Sequence, residues 1–237
     1  MTTQAEWDAY FYPGTTVLRN LPGIQDAAQL AAYESEATAD RQADFGRRSV
    51  RRAVGVEGVR VFEPDAIKRI HRHLFQDVYP WAGQNRTVGM TKAGTPFADP
   101  DRIDATLREA SQLLHEKLDA RTLGRIRAAA VAEPGEATGR FAFQVAEPVV
   151  ALNAAHPFRE GNGRATRVLL DELARNAGLR FTYSEEQAPA WDASMRAATI
   201  DCGDASSVSL QIHRGLSPRP APTRDRGDRD RDRGLER

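Results

Sequence analysis

The chain holds a single cysteine, Cys202, in 237 residues. No disulfide can form within it, and a cysteine-rich zinc site is excluded. One thiol, expected to be buried or partly buried, suits a reducing compartment such as a cytoplasm. Net charge is missing as well: 33 Lys and Arg are balanced by 33 Asp and Glu. Without a basic surplus no global field draws the chain to nucleic acid or to an anionic membrane, so neither is expected as a partner. No apolar run approaches the roughly 20 residues that a membrane-crossing helix requires. The start, Met1-Thr2-Thr3-Gln4-Ala5-Glu6-Trp7, lacks a basic segment followed by an apolar one and does not read as a secretory leader. Internal repeats are absent. What is present is an ordinary globular balance, 41% hydrophobic and 28% charged, at a length that supports one or two domains.

Periodicity predicts an all-helical domain with one small β-hairpin. Residues 1–25 read as an N-terminal arm, aromatic and turn-rich around Tyr10, Phe11, Tyr12, Pro13 and Gly14. Asp26 with Gln29 three residues later marks a helix start, and that helix runs to about Ala43. Residues 44–61 read as a surface connection. Glu63-Pro64 opens the next helix, in which Ile67, Ile70, Leu74 and Phe75 recur at helical spacing. A short hairpin is predicted between Arg86 and Ala98, with Gly94 at its turn. Further helices are expected from Asp99-Pro100 to Leu118, over 122–132, through Phe141, Val145, Val149 and Leu152, through Val168, Leu169 and Leu173 to Gly178, and over about 186–200 and 204–214. Residues 216–237, rich in Pro, Arg, Asp and Gly, carry too little apolar surface to order themselves and read as a disordered tail.

Chemistry concentrates in one loop: His156-Pro157-Phe158-Arg159-Glu160-Gly161-Asn162-Gly163-Arg164-Ala165-Thr166-Arg167. Gly161, Asn162 and Gly163 precede a helix, where small residues let backbone N–H groups converge and the helix terminus adds partial positive charge. Arg164 and Arg167, three apart, share a face and can grip a polyphosphate. Glu160 is a hard oxygen ligand suited to nucleotide-borne Mg²⁺. His156 is the good base near neutral pH. Each piece alone fits an ordinary turn or solvated helix face. Together they are the parts of phosphoryl or nucleotidyl transfer to a hydroxyl. His71 and His73 lie two apart, so a helix turns them to different sides and they are not expected to share a metal.

The same loop resembles the motif HxFx[D/E]GNGRxxR of the Fic/Doc superfamily at every fixed position. Leu74 to Gly83 is similar to the segment entering the Fic flap, Thr91 to Ala98 to the flap, and Tyr12-Pro13-Gly14-Thr15 onward to the start of bacterial Fic toxins. The likeness spans about residues 7–215, and it implies a Fic domain over 26–215 with its core at about 62–182. It implies a protein adenylyltransferase that moves AMP from ATP to a Ser, Thr or Tyr hydroxyl of a target protein. His156 matches the catalytic base, and Glu160 the Mg²⁺ ligand. Gly161, Asn162, Gly163, Arg164 and Arg167 match the phosphate-binding set. Thr95, Pro96 and Phe97 match the flap that docks the target segment by strand addition.

Gly163 stands where the Doc kinases carry lysine, which favours AMP transfer over phosphorylation. The open alternatives are another donor, a Doc-like kinase, or a non-enzymatic scaffold on the same fold. Many family members carry an inhibitory helix of pattern [S/T]xxxE[G/N], and this chain does not. In it only Glu57 and Glu160 precede Gly or Asn, with Ala53 and His156 four residues before. A small antitoxin acting in trans through Arg167, and so a toxin–antitoxin pair, is the resulting expectation, with the cytoplasm as its setting.

Overall fold

The computed structural model describes residues 3–92, 94–200 and 204–219. Cys202 and residues 220–237, the expected thiol and most of the expected tail, lie outside the described residues. The helices are α1 (Gln4–Asp8), α2 (Ala27–Asp44), α3 (Arg48–Val54) and α4 (Ala66–Phe75). The hairpin strands β1 (Thr91–Lys92) and β2 (Thr95–Pro96) follow. Next come α5 (Ile103–Lys117), α6 (Ala120–Ala132), α7 (Pro134–Ala155) and α8 (Asn162–Asn176). Strand β3 (Leu179–Phe181), α9 (Ala188–Ile200), α10 (Ser206–Gly215) and β4 (Leu216–Pro218) complete the order. Among the described residues, no helix is long and apolar enough to cross a membrane.

Helix α7 is the axis of the fold, in contact with α5, α6, α8, α9 and α10. Its Phe141, Val145, Val149 and Leu152 recur at four, four and three residues and are all buried, so one face stays apolar along its length. Truncating Phe141 to alanine there would cost about 3–5 kcal/mol. Helix α8 packs on α4 and buries Val168, Leu169 and Leu173, and α2 also contacts α4. Asp26 caps α2 through the Gln29 N–H at 2.9 Å. Gly178, just past α8, takes φ +76°, the left-handed turn that ends many helices. The expected fold class is what the chain forms.

Four expectations change. Residues 44–61 are not merely a connection: they contain α3 and a 3₁₀ turn, Gly58–Phe62, that buries Val61 and Phe62. An arginine-rich helix gives no apolar stripe to detect; α3 is anchored by Arg51, which donates to the Phe45 carbonyl at 2.8 Å and lies 3.5 Å from the buried Glu172. Helix α4 starts at Ala66, after a turn through Pro64 that closes with the Ala66 N–H on the Glu63 carbonyl. The predicted tail boundary at 216 falls inside structure, because β4 pairs antiparallel with β3, Phe181 opposite Leu216. Strand pairing across such a separation leaves no composition signal. Finally, the N-terminal arm carries α1, capped reciprocally by Thr3 and Glu6, and an isolated bridge between Phe11 and Leu18.

Candidate active site

Helix α7 ends at Ala155, and His156 turns the chain away with φ +38° and ψ +61°, the left-handed region. It is the one non-glycine with positive φ among the described residues, a conformation that costs about 1–3 kcal/mol. Its neighbours fix it there. The His156 N–H donates to the Leu152 carbonyl at 3.2 Å. The imidazole stacks on Phe97 with ring centres 3.7 Å apart and planes 9° off parallel. The His156 carbonyl accepts from Arg86 Nε at 2.8 Å.

Arg86 is the residue that sequence reasoning missed. It is 2% exposed and its guanidinium donates to four carbonyls: His156, Val88 at 2.6 Å, Ala98, and Ala155 at 3.4 Å. Its own N–H donates to the Pro157 carbonyl at 2.7 Å, and the Ala98 N–H donates to Ala154 at 2.9 Å. A buried cation thus sits on the C-terminal end of α7, where the helix dipole favours it. It ties the stem of the hairpin to the histidine loop. Burial lowers its pKa, but an arginine stays charged at any working pH.

Below the loop lies a stack of rings. His71 is fully buried, with Phe158 at 3.7 Å, Phe75 at 4.5 Å and Trp81 at 5.9 Å between ring centres. Its Nδ1 accepts from the Gly83 N–H at 2.9 Å, which places the proton on Nε2, and Nε2 donates to the Glu160 carbonyl at 2.9 Å. Burial pushes its pKa down to about 3. His73 points elsewhere, to the Arg41 carbonyl at 3.1 Å.

Asn162 laces the loop closed. Its Oδ1 accepts from the Phe158 N–H at 2.9 Å and its Nδ2 donates to the Phe158 carbonyl at 2.7 Å. Its side chain is therefore committed to the loop, and what Asn162 offers an anion is its backbone N–H. No side chain caps α8, so the N–H groups of Asn162, Gly163 and Arg164 open its first turn without helical acceptors. Gly161 takes φ +83°, and a Cβ there would lie 2.5 Å from Cε2 of Phe75 and 3.1 Å from Nε2 of His71. At Gly163 the nearest atom to a Cβ is Nη1 of Arg167, at 3.2 Å.

Glu160 leaves its carboxylate about half exposed, with Oε1 accepting from the Gly161 N–H at 3.0 Å. Among the described residues no group of three His, Cys, Asp or Glu could hold a metal by itself. One accessible carboxylate beside an anion cradle fits Mg²⁺ brought in on a nucleotide, which needs only one or two protein ligands. Arg164 lies over the Phe75 ring at 4.7 Å and pairs with Glu34 of α2. Arg167 lies over Tyr183 at 4.3 Å, has no carboxylate within 4 Å among the described residues, and has its pKa lowered by burial. Both line a cleft of about 480 Å³ with Ser35, Thr38, Arg180 and Tyr183. A cleft of similar size along α2, about 500 Å³, is lined by Glu36, Asp40, Asp44 and Asp77 and would repel a polyphosphate.

The hairpin pairs Thr91 with Pro96 and Lys92 with Thr95. Of its expected docking residues, Phe97 reaches His156, Pro96 is exposed, and Thr95 enters through its backbone pairing. The arm closes the other side: Arg159 lies over Trp7 at 4.3 Å, Phe11 at 5.1 Å and Tyr10 at 5.9 Å. The structure thus sets His156, Glu160 and the open turn of α8 in one loop, with both arginines lining the adjoining cleft and Phe97 of the hairpin segment stacked on the histidine.

Such a molecule is, by fold and site, a helical domain with a histidine–carboxylate loop at an uncapped helix terminus. The model of the Fic/DOC family matches residues 61–174. Protein adenylyltransferase VbhT of Bartonella schoenbuchensis is 33% identical over 89% of this chain, which spans 39% of that longer protein. The probable protein adenylyltransferase y4lH of Sinorhizobium fredii is 32% identical, with 87% of this chain and 95% of the relative covered. Among solved structures, the Bartonella tribocorum effector BepC with bound AMPPNP superposes with a TM-score of 0.69 at 23% identity, covering 90% of this chain and 98% of that one. The chain belongs to the Fic/DOC family.

Proposed function

We propose that the chain is a protein adenylyltransferase: it transfers AMP from ATP to a Ser, Thr or Tyr hydroxyl of a target protein. The carrying observation is one continuous loop that ends α7 at His156, carries Glu160 and runs into the uncapped first turn of α8, whose Arg164 and Arg167 line the adjoining cleft. The relatives named as adenylyltransferases and the nucleotide analogue bound by BepC support it.

In this reading the N–H groups of Asn162, Gly163 and Arg164 and the guanidinium of Arg167 hold the phosphates. His156, held by Phe97 and Arg86, accepts the proton of the target hydroxyl. The hydroxyl oxygen bonds to the α-phosphorus, the bond to the β-phosphate oxygen breaks, and pyrophosphate leaves. Glu160 would hold Mg²⁺, which when bound would neutralise phosphate charge. The exposed edge of β1–β2 aligns the target segment by main-chain pairing.

Regulation by a small antitoxin is part of the proposal. The chain lacks the inhibitory pattern, and Arg167 faces a cleft wide enough for a partner's acidic side chain. The setting proposed is the cytoplasm. Label transfer in a bacterial lysate tests the reaction, with ATP labelled on the α- and then the γ-phosphate, wild type against His156→Ala. A His156-dependent band from the α label alone is expected. A band from both labels identifies a kinase, and an active His156→Ala enzyme rejects the mechanism.

A further inference from the structure

Arg164 stands between two carboxylates. Glu34, from α2, takes its guanidinium in direct contact, while Glu160 lies 3.8 Å away. Glu34 is itself seated: it is 13% exposed by side chain, and Tyr79 donates its hydroxyl to the other carboxylate oxygen. Tyr79 is buried and stacks on Trp81 at 4.3 Å. Thr38, one turn along α2, accepts from Arg164 at 3.4 Å. Arg164 is thus held by a carboxylate and a hydroxyl of α2 and by the Phe75 ring of α4. Glu34 lies before residues 61–174, the stretch the family model matches.

We infer that Glu34 is a positioning residue that keeps Arg164 from capturing the metal-holding carboxylate of Glu160. Glu160 and Arg164 are four apart across the start of α8, a spacing at which opposite charges pair readily. With Glu34 neutral, Glu160 becomes the sole carboxylate within 4 Å of Arg164 among the described residues, and the guanidinium needs to move only about 1 Å to reach bonding distance. A Glu160 engaged by Arg164 has to be released before it can hold Mg²⁺. The inference rests on the proposed nucleotide site.

The test is the Mg²⁺ dependence of ADP binding by the full chain, followed by calorimetry without any target protein, alongside Mg²⁺ dependence of label transfer. Glu34→Gln keeps an acceptor for Tyr79 and removes the charge. It is expected to raise the Mg²⁺ concentration at half-effect about two- to fivefold, the range an exposed ion pair commands. In an Arg164→Gln background the same change should have no effect, since the competitor is gone. An unchanged Mg²⁺ midpoint, or a shift that persists without Arg164, overturns the inference while nucleotide binding stands. A wild-type chain with no Mg²⁺-dependent ADP binding overturns both it and the proposed site. Should Glu34→Gln not fold, Tyr79→Phe removes the group that seats Glu34 and is expected to shift the midpoint the same way; no shift there is equally decisive.

Discussion

Two glycines of one loop should respond in opposite ways to alanine. Gly161 holds φ +83°, where a Cβ would lie 2.5 Å from Cε2 of Phe75 and closer still to Cζ. Phe75 cannot withdraw: it is fully buried and stacked against His71 and Tyr79. The left-handed backbone adds about 1–2 kcal/mol of strain and the crowding about 1–3 kcal/mol, so Gly161→Ala should lose about 2–5 kcal/mol. At Gly163 the obstacle is the far end of Arg167, 3.2 Å away, and the residue lies within α8. Alanine there gains up to about 1 kcal/mol of helix propensity and leaves a flexible side chain to adjust. Urea unfolding of the three proteins measures both. With a slope of about 2–3 kcal/mol per molar, the Gly161→Ala midpoint should fall by about 1–2 M, and that of Gly163→Ala should hold or rise. Two variants within about 0.5 kcal/mol of each other would refute the packing argument.

Arg86→Lys should lower stability by about 2–4 kcal/mol, because one ammonium cannot serve four carbonyls spread around a planar fork, and buried acceptors are left unpaired. An unchanged melting temperature would remove Arg86 from its place as the tie between hairpin and loop. His71 sets an acid limit. Its folded pKa of about 3 lies below the unfolded value near 6.5, so the folded state binds fewer protons. Its contribution is complete above about pH 6.5 and is lost as pH falls toward 3. Between pH 7 and pH 5 the loss amounts to about 2 kcal/mol. Urea unfolding at both pH values should show that loss in wild type and a shallower one in His71→Gln; equal losses would reject the assignment.

Much of the site was legible because its parts are contiguous. His156 through Arg167 is one uninterrupted stretch, and Gly161-Asn162-Gly163 before an amphipathic run announces a helix start from local rules alone. The buried face of α7 was legible for a similar reason, since its apolar spacing repeats within one element. The role of Asn162 was not: nothing in the sequence tells a phosphate contact from a side chain folded back onto Phe158. Helix α3 escaped notice because its face is made of arginines, and Arg51 meets its partner Glu172 only after α8 has packed.

The sequence by itself determined a helical domain, the order of its longer helices, and the chemical content of one loop, because periodicity and motif spacing are properties of neighbouring residues. Tertiary structure alone decided what holds that loop in working shape. Arg86 reaches His156 across 70 residues, His71 reaches Glu160 across 89, and Glu34 reaches Arg164 across 130. A buried arginine, a neutral histidine and a seated carboxylate look in sequence like any other polar residue. Their roles come from burial and from partners that only the folded chain brings within hydrogen-bonding distance.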